Sequence, residues 1–70
     1  MSIRAIDLFT YCGLTESVSK ARNLINQGGL YINNIKIKNQ NRIVTENDLA
    51  SESFIILRKG KKNYHLIRII

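Results

Sequence analysis

Ser17-Val-Ser-Lys-Ala-Arg-Asn-Leu-Ile-Asn-Gln-Gly-Gly-Leu-Tyr-Ile-Asn33 holds a helix start, a helix stop and the opening of a strand in one uninterrupted stretch. Val18, Ala21, Leu24 and Ile25 recur at the spacing of one helical face. Ser17 stands just ahead of them, where a hydroxyl accepts a hydrogen bond from an unpaired first-turn amide. Ser19, Lys20, Arg22, Asn23 and Asn26 take the remaining, polar surface. Gly28-Gly29 closes the helix, because glycine enters the left-handed cap conformation without a steric penalty. Beyond Gly29 the apolar period drops from about 3.6 to 2, the mark of a strand.

On the N-terminal side, Ala5, Leu8, Phe9 and Cys12 repeat the helical spacing. Ile3 and Ile6 widen that stripe and Gly13 ends it, so the pattern predicts a helix from about Ser2 to Cys12. Two short helices joined by a few residues must pack together, since neither is stable alone. On the C-terminal side, Leu30 and Ile32 alternate with Tyr31, and Ile35 and Ile37 with Lys36 and Lys38. Asn33-Asn34 between them tolerates the positive φ of a tight hairpin. Asn39-Gln40-Asn41 reads as loop, and Ile43-Val44 is too short to assign. Phe54 to Leu57 and Tyr64 to Ile70 are dense β-forming runs joined by Arg58-Lys59-Gly60-Lys61-Lys62-Asn63. The expected fold class is α+β: two packed N-terminal helices followed by β-hairpins that form a small antiparallel sheet.

Composition narrows the function classes. The single cysteine, Cys12, excludes an internal disulfide and a multi-thiolate metal site, and its apolar setting points to buried filler. His65 is the only histidine and sits mid-strand, where a half-buried structural role is expected. The carboxylates are scattered without paired spacing, and no glycine-rich phosphate loop precedes a helix, so neither catalysis nor a cofactor or metal is expected. No apolar run approaches a membrane span and no secretory signal is evident, so a cytoplasmic or organellar-matrix location is expected.

Net charge is +6, and its distribution is uneven. Residues 17–42 hold Lys20, Arg22, Lys36, Lys38 and Arg42 with no acid; residues 54–70 hold Arg58, Lys59, Lys61, Lys62 and Arg68, again with none. An acidic stretch with Glu46, Asp48 and Glu52 separates them. Such segregation suits a polyanion binder. The run Arg58-Lys59-Gly60-Lys61-Lys62 gathers four cations at a hairpin tip, where their repulsion is relieved by phosphate; lysines there also discourage edge pairing. Lys20 and Arg22, with Ser17 and Ser19 at the positive end of the helix dipole, form a second candidate surface, and Lys36 and Lys38 a third. Tyr64 serves either base stacking or core packing.

The stretch Leu14 to Asn33, with its serine-rich helix start, Ala21-Arg22-x-Leu24-Ile25, Gly28-Gly29 and aliphatic–Asn strand end, resembles the RNA-binding domain first recognised in small-subunit ribosomal protein four, the S-four domain. In that family, helix two and the following hairpin present basic side chains to structured RNA. Asn34 departs from the glycine usual there. Phe54 to Arg68, with Gly60-Lys61-Lys62 and Tyr64-His65-Leu66-Ile67, resembles the closing segment of bacterial-type tyrosyl-tRNA synthetases. The resemblance implies one RNA-binding domain over residues 1–70, excised from the C-terminus of a longer synthetase. It further implies that tRNA(Tyr) is the partner, that aminoacylation belongs to a separate catalytic domain, and that the parent is a homodimer through that domain. By position it makes Lys20, Arg22, Lys36 and the Arg58–Lys62 turn the RNA contacts. An S-four module from an rRNA-modifying enzyme or ribosome-associated factor is the alternative. A protein-interaction or membrane-surface domain using its charge nonspecifically is a third.

Overall fold

The computed structural model describes residues 2–49 and 54–68. In chain order the elements are β1 (Ser2–Arg4), α1 (Ala5–Tyr11), α2 (Val18–Asn26), β2 (Leu30–Ile32), β3 (Ile35–Lys36), β4 (Ile43–Thr45), a 3₁₀ turn (Glu46–Asp48), β5 (Phe54–Lys59) and β6 (Asn63–Arg68). The strands form a two-stranded sheet, β1-β4, and a four-stranded sheet in the order β3-β2-β5-β6, with every pairing antiparallel. The class is α+β, with two helices leading into small antiparallel sheets, as expected.

Helix α2 follows its sequence closely. The Ser17 hydroxyl accepts from the Lys20 amide at 3.2 Å, and Ala21 and Ile25 are buried with Val18 and Leu24 packed beside them. At its end Gly28 takes φ +74°, the Gly28 amide donates to Ile25 O at 3.0 Å and the Gly29 amide to Leu24 O at 2.8 Å. That pair of bonds is the Schellman arrangement, which satisfies carbonyls a helix end otherwise leaves open. Helix α1 closes in the same way, with Gly13 and Leu14 amides bonded to Thr10 O and Phe9 O.

The first helix is shorter than its periodicity predicts. Ser2–Arg4 is a strand instead, with Ser2 opposite Thr45, Ile3 opposite Val44 and Arg4 opposite Ile43. Ile43-Val44, too short to assign from sequence, is its partner. The Ala5 amide donates to Arg42 O at 2.9 Å, so the start of α1 is satisfied by distant backbone and no side chain caps it. A local period cannot register a partner some forty residues away, and β-branched Ile3 fits a strand as well as a helix.

Asn33 and Asn34, at φ 52° and 67°, form the tight turn between β2 and β3. Strand β3 ends at Lys36, so Lys38 lies beyond the hairpin ladder. Ile35 is 72% exposed on the sheet edge, while Ile37, whose amide bonds Leu30 O, is buried. The last hairpin is longer than expected: Arg58 and Lys59 belong to β5 and Asn63 to β6, which leaves Gly60-Lys61-Lys62 as the loop. Ile69 and Ile70, also expected in the last strand, lie outside the described residues. His65, expected half-buried, is exposed, because β6 is the outermost strand.

The core lies between the helices and the inner face of the larger sheet: Ala5, Ile6 and Phe9 of α1, Ala21 and Ile25 of α2, and Leu30, Ile32, Ile55 and Leu57 of the strands. Cys12 is half-buried against this core, its thiol donating to Phe9 O at 3.4 Å. With the helices on one face, no helix among the described residues lies on the other face of the four-stranded sheet.

Candidate nucleic-acid interface

Helical geometry divides the basic side chains of α2. At about 100° per residue, Lys20 and Arg22 stand roughly 200° apart, flanking the buried Ala21–Ile25 stripe. Lys20, Asn23, Leu24 and Gln27 share one flank and, with Thr15, Glu16 and Lys59, line a groove of about 370 Å³. Lys59 reaches this groove because its register opposite Leu30 points it to the helix side of the sheet. The Gly60 amide donates to Gly29 O at 2.8 Å, which fastens the cationic turn to the end of α2. Lys61 and Lys62 project from that turn and are exposed. The Lys36 side chain runs along Gly28, so that a Cβ there would meet Lys36 Cδ and Cε at 3.5 Å. Lys20, Lys36, Lys59, Lys61 and Lys62, drawn from both acid-free blocks, thus gather around the groove and the end of α2.

Arg22 and Lys38 stand apart from this group. Arg22 is exposed on the flank of Asn26, which accepts from Gln40 Nε2 at 2.8 Å. Lys38 is exposed outside the strand, and neither residue lines the groove. Ser19 is exposed in the first turn of α2; the oxygen of Ser17 is engaged by the Lys20 amide.

Arg58 differs most from its expected place at a hairpin tip. It lies within β5, opposite both Tyr31 and Tyr64. Its guanidinium carbon sits 3.8 Å from the Tyr31 ring centre and 5.9 Å from that of Tyr64, and its Nε is buried without a hydrogen-bond partner. Stacking on Tyr31 offsets part of the cost of that unpaired N–H, which is about 1–3 kcal/mol. The ladder continues past Leu57 because Arg58 and Lys59 pair with Tyr64 and Asn63. In the sequence Tyr31 shows only as the residue alternating with Leu30 and Ile32. Alternation puts it on the face opposite Leu30 and Ile32, but only the cross-strand register shows that Arg58 faces it.

The acids select which cations stay available. Arg42 is engaged by Asp48, with Nη1 3.2 Å from Oδ2 and a second contact from Nη2 to Oδ1. Hydrogen bonding to Arg42 holds the Asp48 carboxyl below the usual carboxylate range, and the Thr45 amide at 2.8 Å adds to it. Asp48 in turn raises the Arg42 pKa. Arg4 and Asp7 form an exposed two-point pair at 2.7 and 3.0 Å. Lys20 lies 3.9 Å from Glu16 with both side chains largely exposed, a contact worth little in water. The other cations have no carboxylate within salt-bridge distance among the described residues. Among those residues, no group of three or more His, Cys, Asp or Glu could hold a metal ion, and no helix is long and apolar enough to cross a membrane.

Comparison with known proteins adds a family to this geometry. Residues 2–67 match the family described as the tyrosine–tRNA ligase SYY-like C-terminal domain. The chain is 43% identical over 65 residues to a tyrosine–tRNA ligase of Roseiflexus castenholzii, covering 93% of this chain and 15% of that protein. It is 45% identical over 62 residues to one of Clostridium botulinum, covering 89% and 15%. It is 43% identical over 67 residues to one of Protochlamydia amoebophila, covering 96% and 16%. The chain therefore spans about 15% of the length of these relatives.

Proposed function

This chain belongs to the tyrosine–tRNA ligase SYY-like C-terminal domain family, and from that premise we propose that it is the tRNA-docking module of a longer ligase. In this reading it anchors tRNA(Tyr) while a separate domain, within the remainder of the parent protein, carries out aminoacylation. The observation that carries it is that Lys20 and Lys59 line one groove, while Lys61 and Lys62 on the turn fastened to Gly29 and Lys36 along Gly28 stand at the adjoining end of α2, so two segments far apart in sequence feed one basic region. Folding alone opposes such clustering of like charge, whereas phosphates neutralise it and release condensed counterions. Recognition is by backbone and shape, because helical RNA shows little of its sequence in the groove that side chains can reach. Asn23, Gln27 and Thr15 add neutral donors and acceptors beside the cations.

The test is fluorescence anisotropy with labelled tRNA(Tyr) and a ribosomal RNA hairpin of similar length. The reading expects tighter binding to the tRNA. It also expects at least a tenfold loss when Lys59, Lys61 and Lys62 are replaced together by glutamine, with the thermal midpoint little changed. Preference for the ribosomal hairpin overturns the choice of RNA, and unchanged affinity in the triple variant removes the turn from the site.

A further inference from the structure

The face of the four-stranded sheet turned away from the helices has a chemistry of its own. Directly opposed residues in an antiparallel ladder point to the same face. The register therefore aligns Lys36 with Tyr31, Tyr31 with Arg58, and Arg58 with Tyr64, one residue from each strand in a single row. With strands about 4.8 Å apart the row is roughly 14 Å long. It alternates cation and aromatic ring, and Tyr64 at its end is 56% exposed. The next rows on this face bring Leu66 opposite Ile56 and Arg68 opposite Phe54, with the Arg68 guanidinium carbon 5.9 Å from the Phe54 ring centre.

We propose that this outer face is a second RNA-contact surface that takes unpaired nucleotides, a base stacking on Tyr64 and successive phosphates of the strand meeting Arg58 and, at the far end of the row, Lys36. The proposal rests on the RNA-binding reading above and extends it to a different side of the molecule. Three observations favour RNA over a protein as the occupant. The strand residues of this face include three cations and no acid, so its charge complements a polyanion. Arg58 is held between two tyrosines with no carboxylate partner, so its charge is oriented before any ligand arrives. Aromatic rings on an open sheet stack two or three unpaired bases, since every base has a π-face. The row also begins at Lys36, which lies along Gly28 next to the groove, so one RNA can reach both surfaces.

The test uses the 70-residue chain and two fluorescein-labelled probes: full-length tRNA(Tyr) and a single-stranded RNA hexamer. Tyr64→Ala should weaken the hexamer about tenfold. Tyr64→Phe, which keeps the ring, should stay within about twofold of wild type, and the Lys59/Lys61/Lys62 triple variant should still respond to loss of Tyr64. The Tyr64 ring protons should shift on titration with the hexamer, as a stacked base requires. Equal hexamer affinity of wild type and Tyr64→Ala, while tRNA(Tyr) is still bound, overturns this inference alone. Failure of the wild type to bind either RNA overturns this inference and the docking function together.

Discussion

At the scale of single residues, Asp48 shows how one carboxylate can serve several elements. It neutralises Arg42 and accepts the Thr45 amide in a capping box for the 3₁₀ turn. Its backbone carbonyl accepts from Asn33 Nδ2. Asn33 also bonds β5 through its side chain, accepting from the Ile56 amide at 3.0 Å, and through its own amide to Ile56 O at 2.8 Å. A turn residue chosen for its positive φ is thus also the clasp between the hairpin, β5 and the 3₁₀ turn. The Asp48 pKa is lowered in the fold, so its contribution is present above the unfolded value near 4 and is lost as pH falls through the folded value. Asp48→Asn should cost about 1–2 kcal/mol at pH 7 and should flatten the acid limb of a stability–pH curve. Urea unfolding at pH 7, 4 and 2.5 measures both; an acid limb unchanged by the substitution would assign it to other carboxylates.

At the scale of the element, α2 carries the most legible and the most consequential part of the sequence. Its cap, its buried stripe and its Schellman ending all follow from local chemistry, and all are present. Ser17→Ala should cost about 1 kcal/mol of stability, and Ser17→Gly only a few tenths. The first turn holds no acidic residue, although the helix dipole favours one there. Ser19→Glu should therefore raise stability by about 0.3–1 kcal/mol while weakening tRNA affinity several-fold. Opposite signs in thermal unfolding and binding are the signature of an RNA contact at the helix start. A gain in stability with unchanged affinity would place the contact further along the groove.

At the scale of the whole molecule, the chain measures 30 × 24 × 19 Å, so its cations lie within a few screening lengths of one another at physiological salt. Binding should accordingly be steep in ionic strength. If about five phosphates are neutralised, log affinity against log salt should fall with a slope of roughly −3 to −5. Removing Lys59, Lys61 and Lys62 should reduce that slope, while loss of Tyr64 should leave it nearly unchanged, because stacking displaces few ions. Anisotropy titrations between about 50 and 200 mM salt separate the two surfaces.

Much of this was decided by sequence alone. The α2 cap and stop, the Asn33-Asn34 turn, the α+β class and the two acid-free blocks are set by residues within a few positions of one another, and local interactions are what a linear pattern records. Tertiary structure decided the rest. Ser2–Arg4 became a strand because β4 was available to it. Arg42 left the basic surface because Asp48 met it, and Arg22 parted from Lys20 because the helix turned them to opposite flanks. Arg58 moved from an expected loop to a tyrosine-lined sheet face because the last hairpin paired two residues further than its apolar run. The β1–β4 pairing and the facing of Tyr31 by Arg58 depend on partners distant in sequence, selected by which arrangement buries the core and satisfies the backbone. No single segment contains that information.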